Sequence, residues 1–369
     1  MIVTKPKVRI RADIEAMQAY TPTASLEVFA EKLGIPIEKL IKLDANENPY
    51  GPSPKALKAL ANLDTVPIYP DPESGKLRAL LADYVGVDAQ HIIVGAGADE
   101  LLELVLQLFI EPGDAIINCP ATFGMYTFNA PIFHAKAVNV PRKSDFSLDI
   151  DGIKQAVADT NAKLLFVCSP NNPDGSLIPT ETLEQLLELP ITVILDEAYI
   201  EFAGAESWVK RVPEADNLIV LRTFSKWAGL AGLRVGYGVF PLELMTHLWK
   251  IKQPYNVNVA ADAAARASLN DLPKLQRNVR RIIVERQRLQ QELADIPFLS
   301  PYPSRSNFVL CKVLNRPALE VKNELAKQGI LIRHYQKTGL NDHIRISVGK
   351  TEQTTALIEA LHKIGGNND

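Results

Sequence analysis

Short runs of β-branched and aliphatic residues alternate along this chain with stretches of helical periodicity, and that alternation limits the fold more than any other feature. "HIIVGAG" is followed by "ADELLELVLQLF" and then "DAIINCP"; farther on come "KLLFVCSPNNP", "ETLEQLLEL" and "ITVILDEAY". Strands that are apolar throughout, without alternation, are buried on both faces, and helices between them supply the crossovers that parallel strands need. The expected class is α/β, with a mostly parallel sheet covered by helices in a large domain over residues 49–260. Beyond it, "KLQRNVRRIIVERQRLQQELADI" reads as a long linking helix with charges on one side. Then "NFVLCKV", "ALEVKNELAKQG", "ILIRHY", "HIRISVG" and "EQTTALIEALHKIG" alternate strand and helix, so residues 261–369 are expected to hold that helix and a smaller α+β domain. Residues 1–48 are expected to form an N-terminal arm and part of the same small domain.

At 369 residues, 47% hydrophobic and 22% charged, the chain has the composition of an ordinary globular protein with room for two domains. A net charge of -3 offers no electrostatic footprint for nucleic acid, and the acids interleaved in the long helix favour a solvated face over an RNA-binding one. The first twenty residues mix basic and acidic side chains and lack the apolar centre of a signal peptide. Leu101 to Ile110, the greasiest stretch, contains Glu103 and Gln107 and is too short to span a membrane. A cytoplasmic protein with neither membrane nor nucleic-acid partner is expected. Cys119, Cys168 and Cys311 each end an apolar run, and the six histidines form no HxH or HxxxH pair, so neither disulfides nor a metal centre is expected.

Ligands of such sheets bind at the carboxyl ends of the strands, so the residues just after each apolar run are the candidates. "IIV" leads into "GAGADE", a glycine turn opening a helix whose free N–H groups suit a phosphate; the competing dinucleotide fingerprint has Glu100 where its third glycine belongs. "LLFVC" leads into "SPNNPDG", which presents Asn172, although Asn-Pro and Asp-Gly also make a plain turn. "ITVIL" leads into "DEAY", and "LIVL" into "RTFSKWAGLAGLR". Lys226 lies between apolar residues and small ones, an unusual setting for a surface lysine, and a chance lysine at a strand end is the competing reading.

One chemistry asks for all these groups together: a Schiff-base lysine, a carboxylate for a pyridinium nitrogen, and a cradle of hydroxyls, helix N–H groups and an arginine for a phosphate. That set suits pyridoxal 5'-phosphate, covalently bound as a Schiff base on Lys226. Asp196 keeps the ring nitrogen protonated, because an opposite charge favours the charged form. Tyr199 and Asn172 hydrogen-bond the ring's 3-oxygen. Thr223, Ser225, Arg234 and the amides near Ala98 and Asp99 take the phosphate, and Phe123 of "CPATFGMY" stacks on the ring.

With these motifs the chain resembles the fold-type I, class II-like aminotransferases, and within them it is similar to the histidinol-phosphate aminotransferase family. "LDANENPYG", "YPDPESGKLRALLADY", "GAGADE", "CPATFGMY", "CSPNNPDG", "DEAYIEF", "TFSKWAGLAGLRVGYG", "QPYNVN" and "RISVG" carry the resemblance almost end to end. It implies that Arg345 binds the substrate anion, with Arg333 and Tyr20 as further contacts and Tyr69 donated from the neighbouring subunit of a homodimer. It also implies a reversible transamination in histidine biosynthesis: L-histidinol phosphate and 2-oxoglutarate give imidazole acetol phosphate and L-glutamate. An aromatic amino acid aminotransferase and a phosphothreonine-type decarboxylase share these motifs and stand as alternatives; a transaminase-like regulator would carry a DNA-binding segment as well. Three departures accompany the resemblance. Asp174 stands where the family usually has threonine, Phe123 where tyrosine is commoner and Ala121 where proline is usual; neither of the first two removes a catalytic group.

Overall fold

The structure, a computed structural model, describes residues 8–20 and 23–366. Residues 1–7 and 21–22 of the expected N-terminal arm, and 367–369 of the expected small domain, lie outside the described residues.

The larger sheet has seven strands, in the spatial order Ile92–Gly95, Gly236–Val239, Leu218–Thr223, Thr192–Asp196, Leu164–Cys168, Ala115–Asn118 and Lys136–Asn139. Only Gly236–Val239 runs against its neighbours; the other pairs are parallel. Side chains alternate across the sheet. Val94, Ile117, Leu165, Val193 and Val220 enter one apolar cluster, while Ile93, Ile116, Leu164, Ile194 and Ile219 enter the other. Both faces are therefore covered, which is why these strands are apolar throughout. The edge strand Lys136–Asn139 is largely exposed, and no apolar run marks it in the sequence.

The second sheet has five strands, ordered Ile41–Leu43, Ile330–His334, His343–Ser347, Phe308–Val313 and Leu299–Pro301. Its outermost strand comes from the N-terminal part of the chain: Ile41–Leu43 pairs in parallel with Ile330–Ile332. The helix Leu272–Ala294 buries Leu275, Val279, Ile282, Leu289 and Leu293 along one stripe, and Arg288 on its outer side pairs with Glu285 and Glu292. One apolar cluster runs from the larger sheet through this helix to Phe308, Ile344 and Ile346 of the smaller sheet. That shared core holds the carboxyl edge of the first sheet against the second. Among the described residues, no helix is long and apolar enough to cross a membrane.

Candidate active site

Strand register brings the candidate residues together before any side chain is considered. Cys168 is level with Asp196, and Asp196 with Leu221; Thr223 is level with Gly236, which is level with Gly95. The segments that follow Cys168, Asp196, Thr223 and Gly95, and the one that precedes Gly236, all meet the sheet at one edge.

Lys226 leaves the buried strand Leu218–Thr223 between two anchors, Phe224 and Trp227, both essentially inaccessible. Trp227 stacks on Tyr84, and its carbonyl accepts a 2.9 Å hydrogen bond from Asn48 Nδ2. The small residues after it permit close approach to the "NENPYG" loop. Gly229 has φ +70°, and a Cβ there would lie 2.5 Å from the Gly51 carbonyl carbon, so no side chain fits. The Lys226 amine donates to the Ala45 carbonyl at 3.2 Å. Burial first, and then the positive charge of Arg345, bring its pKa down to about 8.

Asp196 ends its strand buried. One carboxylate oxygen accepts from the Tyr126 hydroxyl at 2.7 Å and the other from the Ala198 N–H at 3.0 Å. Burial pushes its pKa up to about 6, and the Tyr126 hydrogen bond opposes that shift. The Tyr199 hydroxyl accepts from Asn46 Nδ2 at 3.1 Å and from Asn172 Nδ2 at 3.4 Å, and burial holds it well above the ordinary phenol value.

A cradle lies on the other side of the lysine. The Thr223 hydroxyl donates to Ser225 Oγ at 3.0 Å and accepts from the Ser225 N–H. Across Gly236, the turn 95–97 opens the twelve-residue helix Ala98–Phe109, whose first turn presents the Ala98 and Asp99 amides. Arg234 lies over this turn, tied to Asp99 at 2.8 Å; a Cβ on Gly97 would come within 2.7 Å of its guanidinium. Glu100 accepts from the Ala96 N–H and from Asn256 Nδ2, both at 2.6 Å, and so braces the glycine turn.

Arg333 and Arg345 are register partners on adjacent strands of the smaller sheet, which places both guanidinium groups on one face. Arg345 donates to Asn172 Oδ1 at 2.6 Å and to the Asp44 carbonyl at 2.8 Å; Arg333 donates to Thr23 Oγ1 at 3.2 Å. Phe123 meets Tyr126 edge to face, as Tyr20 meets Phe128. Tyr69 stands apart from these groups: it is 79% exposed and stacks on Tyr255. Asp174 accepts from Asn171 Nδ2 and from the Ser176 N–H, while Asn171 also donates to the Ala121 carbonyl and accepts from Thr122 Oγ1. The departure at Asp174 therefore braces the loop that carries Phe123.

Four polar residues of the site have no individual place in the sequence reading: Asn46, Asn48, Asn171 and Tyr126. The only signal for the first two is the density of asparagine in "DANENP" just after a short strand. Tyr126 lies in the "CPATFGMY" motif, but nothing local marks its hydroxyl for a role.

The groups fit pyridoxal phosphate. A turn with glycines at 95 and 97, free amides and an arginine beside it suits the phosphate, a buried carboxylate suits the ring nitrogen, and a buried amine of lowered pKa suits the aldehyde. Fold and donor set together fit a pyridoxal-phosphate-dependent enzyme of fold type I. The description "Aminotransferase class I and II" matches residues 38–361. The histidinol-phosphate aminotransferase of Roseiflexus castenholzii is 50% identical over 96% of this chain and 98% of its own length. The chloroplastic one of Nicotiana plumbaginifolia is 50% identical over 95% of this chain and 86% of its own. The crystal structure of the Sinorhizobium meliloti histidinol-phosphate aminotransferase in complex with pyridoxal-5'-phosphate superposes with a TM-score of 0.90, at 29% identity and 99% coverage of both chains. The chain belongs to the class I and II aminotransferases and, within them, to the histidinol-phosphate aminotransferase family.

Proposed function

We propose that this chain, a cytoplasmic enzyme in our reading, transfers the amino group of L-histidinol phosphate to 2-oxoglutarate and back, forming imidazole acetol phosphate and L-glutamate. The observation that carries the substrate reading is the cross-strand pair Arg333 and Arg345, with Arg345 bonded to Asn172 and lowering the pKa of Lys226. Two guanidinium forks suit a carboxylate and a phosphate in turn, which this exchange of substrates requires.

Pyridoxal phosphate held covalently by Lys226 would supply the electron sink for the pair left when a proton leaves the substrate Cα. The chain's own groups do the rest. Once the incoming substrate amine has taken its place on the cofactor, the freed Lys226 amine, whose pKa burial and Arg345 lower to about 8, would take that proton and return it at the adjacent carbon close to neutral pH. Asp196 holds negative charge opposite the ring nitrogen, and the Tyr126 hydrogen bond keeps that charge in place. Tyr199 and Asn172 would orient the 3-oxygen, and Phe123 would cover the ring. Thr223, Ser225, Arg234 and the Ala98 and Asp99 amides hold the phosphate. Arg345, Arg333 and Tyr20 bind the substrate anion.

The test is spectroscopic. The yellow band of the holoenzyme should bleach with L-glutamate and, separately, with L-histidinol phosphate, and return when imidazole acetol phosphate is added to the glutamate-treated enzyme. Recovery with phenylpyruvate but not with the imidazole phosphate would assign an aromatic substrate instead, and release of carbon dioxide from a phosphoamino acid would assign a decarboxylase.

We further propose a homodimer in which Tyr69 enters the partner's site. Tyr69 and its stacking partner Tyr255 are exposed, as are Val66 and Ile68 nearby, and an exposed apolar group of this kind suits an interface. Mixing inactive Lys226→Ala with inactive Tyr69→Ala subunits should then restore activity, since a hybrid dimer holds one site with both residues intact. If Tyr69 served its own subunit's site, no hybrid site would hold both, and the mixture would stay inactive.

A further inference from the structure

The face that carries Arg333 and Arg345 holds a third polar group. Tyr335 follows Arg333 by two positions, just past the end of the strand Ile330–His334, so the strand alternation puts both on one side. The Arg333 and Arg345 guanidinium carbons each lie 5.8 Å from the centre of the Tyr335 ring. The ring packs against the cluster of Phe146, Leu310 and Leu340, which also takes in Ala121 of the loop bearing Phe123. Its body is thus fixed between the smaller sheet and the loop over the site.

Its hydroxyl is buried and has no hydrogen-bond partner among the described residues, and the same is true of Arg345 Nε. A buried donor left unpaired costs free energy, and two such donors beside two guanidinium groups lack an acceptor. Burial raises the phenol pKa against the pull of both arginines, so the hydroxyl is a proton donor at neutral pH.

We infer that the Tyr335 hydroxyl is a substrate contact that donates a hydrogen bond to the phosphate of the phosphate ester and selects it over a carboxylate. The inference rests on the proposed exchange of a dicarboxylate with a phosphate ester at one anion pocket. A carboxylate offers two oxygens, which one guanidinium fork matches; a phosphate monoester offers three terminal oxygens and more charge, leaving one for a further donor.

The experiment compares wild-type and Tyr335→Phe holoenzymes by calorimetric binding of inorganic phosphate and of glutarate, alongside the two spectroscopic half-reactions. Phenylalanine keeps the ring and its packing, so the melting temperature should be unchanged. Loss of a hydrogen bond to a charged group should weaken phosphate binding, and kcat/KM for L-histidinol phosphate, about tenfold or more. Glutarate binding and the glutamate half-reaction should change less than about twofold, because the guanidinium fork remains. Equal weakening of both anions, or no weakening of phosphate, overturns the inference. A wild-type enzyme that exchanges with glutamate but not with L-histidinol phosphate would overturn the substrate reading, while the phosphate-to-glutarate comparison would still decide the role of Tyr335.

Discussion

Lys226→Ala should leave a folded protein that takes up pyridoxal phosphate without a covalent link and transaminates neither substrate at a useful rate. The expected loss is roughly four orders of magnitude, the upper end for a positioned acid–base, because the same amine is also the covalent anchor. Folding should survive. Phe224 and Trp227 anchor the segment, and among the described residues the lysine's only hydrogen bond is one to the Ala45 carbonyl. Borohydride reduction of the wild-type holoenzyme followed by peptide mapping should fix the cofactor to Lys226, and the variant should show no adduct. An adduct on any other lysine of the wild type would remove Lys226 from its proposed role. Arginine would not rescue, since it keeps a charge but cannot form the link.

Asp196→Asn should separate activity from stability. Transamination should drop by two to three orders of magnitude, roughly 3 to 4 kcal/mol, because the charge opposite the ring nitrogen is gone. The stability of the cofactor-free protein should move the other way. Burial raises this carboxyl from an ordinary 3.8 to about 6, so its contribution to stability is complete below pH ~4 and is lost as pH rises through about 6. At pH 8 the folded protein holds a buried anion at a cost of roughly 3 kcal/mol at most, and asparagine relieves it while its oxygen can still accept from the Ala198 N–H. Calorimetry of the cofactor-free forms should find the variant the more stable at pH 8, with about half of that difference left at pH 5 and none below pH ~4. A variant less stable by the same margin at both pH values would mean that Asp196 serves mainly to cap its turn.

What could be read from the sequence follows from burial and chain distance. Strands covered on both faces announce themselves as apolar runs, as in Leu164–Cys168 and Leu218–Thr223, whereas the exposed edge strand Lys136–Asn139 has no such pattern. Asp196 and Lys226 stood out because each falls just after a buried run, where polarity is unexpected. Asn46 and Tyr126 did not, because their partners lie far along the chain: Tyr199 is 153 positions from Asn46, and Asp196 is 70 from Tyr126. An asparagine near a proline looks like a turn until its distant partner is known. Tyr335 was hidden similarly, since only the pairing of two strands reveals which guanidinium groups flank it.

The reach of the contacts around Lys226 bears on how the chain acquires a working site. Its amine meets a carbonyl 181 positions earlier, and Arg345 meets one 301 positions earlier, so both contacts close very long loops. The entropy of such closures must be met before the contacts reward it, which favours local helices and neighbouring strands forming first. During synthesis, the segment holding Ala45 has to wait for most of the protein to emerge before its partner strand Ile330–His334 exists. Until residue 345 has left the ribosome and the smaller sheet has closed around its own N-terminal strand, the lysine, its carboxylate and its anion pocket are not yet in one place.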